Sequence, residues 1–205
     1  AELMNVGINY LREHMPDSAR IHYAYIDAGG ISPNVVQGHA KVRYVVRAES
    51  APEMLRLLER VRNVAQGAAM MTETTVQDEV LAAVSNVIEN TPLVDAMQRN
   101  LEQLGTPAFG DTDRAYAARF QSTFDGDDIT DAYRSVGIAP RAGEVLADTF
   151  VPADAFPAGL GGSTDVADVS WVVPTVQMWG ANYAIGTPFH SWQMVAQGKG
   201  APALK

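Results

Sequence analysis

Leu3, Val6, Tyr10, Leu11 and His14 recur at the spacing of one helix face, and Pro16 in Met15-Pro16-Asp17 stops the run. The spacing therefore predicts a first helix. Ile21, Tyr23 and Tyr25 then alternate with His22, Ala24 and Ile26 as a strand does, ending at Gly29-Gly30. A loop through Ser32-Pro33-Asn34 leads to a second strand, from His39 to Ala48. There Ala40, Val42, Tyr44 and Val46 face one way, and Lys41, Arg43, Val45 and Arg47 the other. Ser50-Ala51-Pro52-Glu53 reads as a capping box, and Met54, Leu57, Leu58, Val61, Val64 and Ala65 continue as an amphipathic stripe up to Gly67.

Thr74 to Val84, rich in Val and Thr, is expected to be a third strand, with Leu81-Ala82-Ala83 weakening the pattern. The order to that point is α-β-β-α-β, and one further strand upstream completes a split β-α-β-β-α-β sandwich. A helix opens at Thr91-Pro92, with Thr91 as N-cap, and Leu93, Met97, Leu101 and Leu104 carry it to Gly105. Beyond it the chain is rich in Gly, Pro and Asp up to Leu160, with helices expected near Arg114 to Phe120 and Asp128 to Val136.

Composition narrows the function. The chain has 205 residues, 47% of them apolar, enough for a real core in one domain or two small ones. Twenty-four acidic against 15 basic residues, a formal charge of -9, disfavour nucleic acid or an anionic membrane as partner. A local arginine still permits an anionic small molecule. The absence of Cys excludes disulfides and thiolate chemistry and fits a reducing compartment. No segment has the roughly 18 apolar residues of a membrane span, and Ala1-Glu2-Leu3-Met4 is no signal peptide. A cytoplasmic chain is expected, and its start directly in a helical pattern suggests a piece of a longer protein.

Candidate chemistry gathers near the C-terminus. The stretch Gly161-Gly162-Ser163-Thr164-Asp165-Val166-Ala167-Asp168 precedes an apolar run and then Gly186-Thr187-Pro188-Phe189-His190-Ser191-Trp192. An isolated histidine on a Gly/Pro loop beside carboxylates suits a zinc ligand, and equally a structural histidine bonding a loop carbonyl. Asp165 and Asp168 share a face if a helix follows Gly162, with Ser163 or Thr164 as its N-cap; Asp165 then either serves a site or complements the helix dipole. Gly161-Gly162-Ser163-Thr164-Asp165 is not the Gly-x-Ser-x-Gly elbow, which speaks against a serine hydrolase. Arg43 and Arg47 on one strand side are either a solvated face or a carboxylate clamp. Gly110-Asp111-Thr112-Asp113 and Asp125-Gly126-Asp127-Asp128 lack the ligand alternation of a calcium loop. His14, His22 and His39 have no ligand-type spacing.

Pro33-Asn34-Val35-Val36, Lys41 to Arg47, Gly67 to Thr74, Gly162 to Thr175 and Gly186 to Gln193 together resemble the aminoacylase and glutamate-carboxypeptidase group of dinuclear-zinc amidohydrolases. The resemblance runs along nearly the whole chain. It implies an α/β, more narrowly α+β, architecture: a partial ferredoxin-like lid and dimerisation domain over residues 1–88, then the C-terminal part of a zinc-peptidase catalytic domain over residues 89–205. It implies hydrolysis of an acyl or aroyl amide, a small anionic substrate, with release of an amino acid such as glutamate, and a pair of zinc or manganese ions. In that group the metal pair activates a bridging water and a glutamate acts as general base. His190 falls where the group places its last metal ligand. Asn34 and Arg47 fall where substrate carboxylate contacts are made, often across a dimer interface. Gly162 and Ser163 match a loop lining the substrate pocket, and Asp165 is a candidate partner to a ligand. The group's other ligands, its acid and base and its lid histidine lie upstream of Ala1, so this chain is expected to be inactive alone and not to retain metal. A homodimer, or a heterodimer with a homologous subunit through the lid, is the implied assembly. The alternative is a non-catalytic association module.

Overall fold

The computed structural model describes residues 1–151, 155 and 162–205. Gly161, at the head of the C-terminal motif, lies outside the described residues. The chain forms two compact units, Ala1–Val87 with Ser163–Asp168, and Ile88–Gly162 with Val169–Lys205. Both are built from helices and loops, and the sheet among the described residues has two strands. The architecture is thus mixed, of the α+β kind.

In the first unit, helix α1 (Glu2–Leu11) runs into a 3-10 turn over Arg12–His14 before Pro16. Strands β1 (Arg20–Asp27) and β2 (Lys41–Arg47) pair antiparallel, with Ile21 opposite Val46, Tyr23 opposite Tyr44 and Tyr25 opposite Val42. Directly opposed residues of an antiparallel pair share a face, so this register puts the strands' large apolar residues together. That face meets α1 and α2 (Ala51–Met71), and Ile8, Leu11, Ala19, Ile21, Leu57 and Val61 form the core. Gly7 permits the close approach of the two helices, because a Cβ there would stand 2.6 Å from Val64 Cγ1.

Buried Asn5 locks α1 to both strands. Its Nδ2 donates to the Tyr25 hydroxyl at 3.1 Å, the Tyr44 hydroxyl donates to its Oδ1, and Tyr25 in turn donates to Glu2 at 2.9 Å. Burial, with the neighbouring tyrosines, pushes the Tyr44 hydroxyl up to about 12. It therefore stays a neutral donor.

Three sequence expectations are corrected in this unit. The Ser50 side chain makes no capping bond; Asn86 Oδ1 instead accepts from the Ala51 N–H at 3.3 Å, a long-range contact that no local pattern encodes. Helix α2 does not stop at Gly67 but continues to Met71, because Ala68 and Ala69 beyond it are buried. A mid-helix glycine costs about 1 kcal/mol, which that burial offsets. Thr74 to Val84 is not a strand. Its Val and Thr content satisfies strand propensity, but a strand exists only where a neighbour pairs with it, and β1 and β2 pair with each other. Side chains hold the region instead: Asp78 pairs with Arg62 at 2.9 Å, and the Ser85 N–H donates to Asp168 at 2.8 Å.

In the second unit, helix α3 (Thr91–Leu104) is capped one residue earlier than expected, by Asn90, whose Oδ1 accepts from the Leu93 N–H at 3.1 Å. Helices α4 (Asp111–Gln121) and α5 (Gly126–Ser135) explain the two Asp-rich runs. Asp113 accepts from the Gly110 N–H at 2.8 Å and Asp128 from the Asp125 N–H at 3.0 Å. Each is the reciprocal carboxylate at a helix start. Phe109, Ala117, Leu146 and Ala184 form this unit's core. The short helix α6 (Val166–Ser170) begins in the first unit's Ser163–Asp168 stretch, while helix α7 (Trp192–Gln197) and a 3-10 turn over Ala201–Leu204 end the second unit.

Candidate functional site

In the first unit the site is built at one end of the hairpin. Arg47 closes β2 and lies directly opposite Arg20 of β1, so two guanidiniums leave the same sheet face at the same end. Arg20 turns part of its fork back onto the carbonyls of Asp17 and Ala19. Arg47 Nη2 donates to the Ser163 hydroxyl at 3.1 Å, joining positions 116 residues apart. Arginine offers a rigid fork of donors suited to a carboxylate, and a hydroxyl held beside it can donate to the same anion. Arg20 was invisible to sequence reasoning. The signal that finds it is the strand register, which fixes Arg20 against Arg47.

Ser163 opens the segment leading into α6. Thr164, rather than Ser163, steadies the turn, its Oγ1 accepting from the Val166 N–H at 3.3 Å. The helix begins only at Val166, so Asp165 precedes it and does not share a helix face with Asp168. Asp165 is exposed. Asp168 accepts from Ser85, and the Ser85 N–H, followed by its hydroxyl, holds the Asp168 carboxyl below its ordinary range. Asp168 thereby has a structural task, tying the residue 74–87 segment to the motif that carries Ser163. Gly162 is exposed. Asn34 is exposed on the β1–β2 connection, at the opposite end of the hairpin from Arg47. The structure thus brings Arg47 and Ser163 together and does not bring Asn34 to them.

In the second unit His190 occupies a loop between Ala184 and α7. It is exposed, and its φ of 61° lies in the left-handed region, which non-glycine residues visit sparsely and histidine more readily than most. Ser191 caps α7, its Oγ accepting from the Met194 N–H at 3.2 Å and donating to the Pro188 carbonyl at 2.7 Å. Phe189 and Trp192, near the histidine in sequence, are both more than 60% exposed, and their rings meet Trp179 and Phe120 respectively. An open cleft of about 350 Å³, lined by Asp128, Ser135, Tyr183, Thr187, Phe189 and Met194, lies under the same loop.

Among the described residues, no group of three or more His, Asp or Glu side chains could hold a metal ion. His190 offers a single imidazole, and among the described residues it is not part of a ligand cluster. No described helix is long and apolar enough to cross a membrane.

Set beside curated proteins, the chain is similar to hydrolases, while no protein-family model matches it. It is 40% identical over 215 aligned positions to one of the subunits of p-aminobenzoyl-glutamate hydrolase of Escherichia coli (strain K12), an alignment covering 99% of this chain and 44% of that protein. It is 27% identical over 188 positions to Xaa-Arg dipeptidase of Mus musculus, covering 91% of this chain and 33% of that protein. The chain spans less than half the length of either relative.

Proposed function

We propose that the chain is part of a metal-dependent amidohydrolase that cleaves an amide such as p-aminobenzoyl-glutamate and releases glutamate. The observation that carries this reading is the 40% identity extending over 99% of the chain to a hydrolase of that substrate. Similarity to a dipeptidase favours the same bond class and weighs against a purely associative module.

Within that reading each residue has a limited task. Arg47, with Ser163 beside it, binds and orients the substrate carboxylate, and the facing Arg20 adds positive charge at the same hairpin end. Asn34, at the far end of the hairpin, acts on the substrate of a neighbouring subunit. Gly162 lines the pocket, and Asp165 supports a ligand. His190 offers one imidazole nitrogen to the metal pair, zinc or manganese. When bound, that pair supplies an activated water and charge stabilisation for the oxyanion. The remaining ligands and the general base come from sequence that the longer relatives have outside the stretch matched here.

Residues 1–88 then form a partial ferredoxin-like lid and residues 89–205 the C-terminal part of the catalytic domain. The lid pairs with a second copy or with a homologous subunit, in keeping with the designation of the bacterial relative as a subunit. A cytoplasmic location fits a chain without Cys.

The test is glutamate release from p-aminobenzoyl-glutamate by the full-length polypeptide as its gene encodes it, with metal removed and restored. Activity is expected to vanish with chelation and to fall at least about 100-fold in His190→Ala, since even a ligand's supporting contact is worth up to that much. Full activity in His190→Ala would remove the residue from the metal site. Arg47→Ala is expected to raise KM for carboxylate-bearing substrates by about 10-fold or more, the loss of one charge-assisted contact; unchanged kinetics would remove it from the pocket.

A further inference from the structure

The loop that carries His190 is held from below by one buried amide. Gln197, the last residue of α7, is 3% exposed. Its Oε1 accepts from the Ala184 N–H at 2.8 Å, and its Nε2 donates to Thr187 Oγ1 at 3.0 Å and to the Gln193 carbonyl at 3.2 Å. Thr187 Oγ1 passes the connection on, donating to the Ala184 carbonyl at 2.6 Å. One side chain therefore grips both ends of the Ala184–Thr187 turn. The C-terminal side of the loop is held by the other end of the same helix, where Ser191 caps α7 and bonds the Pro188 carbonyl. His190 lies beyond the first anchor and inside the short Pro188–Ser191 turn that the second one closes.

The chemistry of this position is demanding. The side chain must accept once and donate twice in a space closed to water. A glutamine amide has that inventory, glutamate has no donor when ionised, leucine has neither, and methionine has no donor and only a weak sulfur acceptor. The Ala184 N–H also fixes which end of the amide is the oxygen. Gly186 in the same turn has φ 91°, and a Cβ there would meet Ile129 backbone atoms at 3.1 Å, so the turn has little room to adopt another path.

We infer that Gln197 is a positioning residue for His190: it fixes the Ala184–Ser191 loop so that the exposed imidazole is preorganised at one place on the second unit's surface. As a ligand-positioning role, this rests on the reading of His190 as a metal donor. Its physical core, the immobilisation of the loop, is measurable without any metal.

The test compares this chain with Gln197→Met by amide exchange and backbone relaxation in solution. The Ala184 amide is expected to exchange at least about 10-fold faster in the variant, the rate change that loss of its acceptor allows. The His190 order parameter is expected to fall from about 0.85 to below about 0.6. Leu146→Val, a change in the same core, serves as the control: it is expected to lower the melting temperature while leaving His190 ordered. Should Gln197→Met fail to fold, Thr187→Val removes the hydroxyl that accepts from Gln197 and donates to the Ala184 carbonyl, and is expected to shift His190 in the same direction. An unchanged His190 order parameter in the folded variant, or an equal loss in Leu146→Val, would overturn the proposal.

A second arm uses the full-length polypeptide and zinc alone, titrated against a chromophoric chelator. Gln197→Met is expected to weaken zinc binding about 10- to 100-fold, as loss of a ligand's supporting contacts does, and His190→Ala by more. Weakening in His190→Ala with none in Gln197→Met overturns the positioning role and leaves His190 a ligand. No weakening in His190→Ala overturns the ligand reading, while relaxation still decides whether Gln197 holds the loop.

Discussion

Asn5 is 4% exposed, on a helix whose other buried positions are Ile8 and Leu11, and it bonds tyrosines on both strands. Asn5→Ala leaves the partly buried Tyr44 hydroxyl without its acceptor, and a loss at the low end of the roughly 1–3 kcal/mol cost of an unsatisfied buried group, about 1 kcal/mol, is expected. Urea unfolding should show a loss of that size, and a loss under about 0.5 kcal/mol, within ordinary surface variation, would show that the network carries no stability. Two aspartates act at the same scale. The Lys205 ammonium, then the Gly110 N–H, holds the Asp113 carboxyl below its ordinary 3.8, and the Ser85 contacts do so for Asp168. With the folded value depressed, the unfolded chain takes up the proton first. The stabilisation is therefore complete above pH 3.8 and is lost as pH falls through the lower folded value. Asp113→Asn and Asp168→Asn should each flatten the acid limb of a stability profile below about pH 4, the ordinary carboxyl range, and curves parallel to wild type would refute the linkage.

At the scale of elements, the sequence placed the starts of α2 to α5 within a turn, but misread the capping side chain both where it is local, as at Asn90, and where it is distant. Asp113 and Asp128 stand three residues beyond their helices' N-caps, a spacing written in the sequence. The amide of Ala51 is met by Asn86, 35 residues away, and nothing around Ser50 announces it. The turn at Gly186 belongs to this scale as well. Its φ of 91° and its contact with Ile129 leave no place for a side chain. Gly186→Ala should cost about 1–3 kcal/mol through backbone strain, read as a lowered melting temperature, and a variant as stable as wild type would show that the turn can relax. The same reasoning explains why Thr74 to Val84 read as a strand and is not one. Alternation and β-branching describe a surface ready to pair, and pairing itself is a tertiary event.

At the scale of the whole molecule, a two-stranded sheet packed on two helices is a small one, and hairpins alone are marginal in water. The core of Ile8, Leu11, Ile21, Leu57 and Val61 supplies what the ladder does not. Residues 75–84 take no part in any backbone hydrogen bond among the described residues. Hydrogen exchange should therefore give their amides near-unprotected rates while β1, β2 and the middle of α2 exchange slowly. Protection of residues 75–84 equal to that of β2 would mean that in solution the segment pairs with a strand, supplied in the sample by another copy.

Sequence alone determined the order of helices and strands up to α2, the alternation of both strands with the apolar side of β2, and the residues with chemistry worth weighing, His190, Arg47 and Ser163 among them. It could do so because periodicity, proline and glycine punctuation and side-chain type are local properties. Tertiary structure decided everything that depends on two distant segments meeting. The register placed Arg20 against Arg47, a fold-back joined Ser163 to Arg47 across 116 positions, and the packing of α7 turned an unremarked glutamine into the support of the histidine loop. A hydrogen bond between remote residues leaves no trace in the pattern of either one, since its energy depends on a geometry that exists only after the chain has folded.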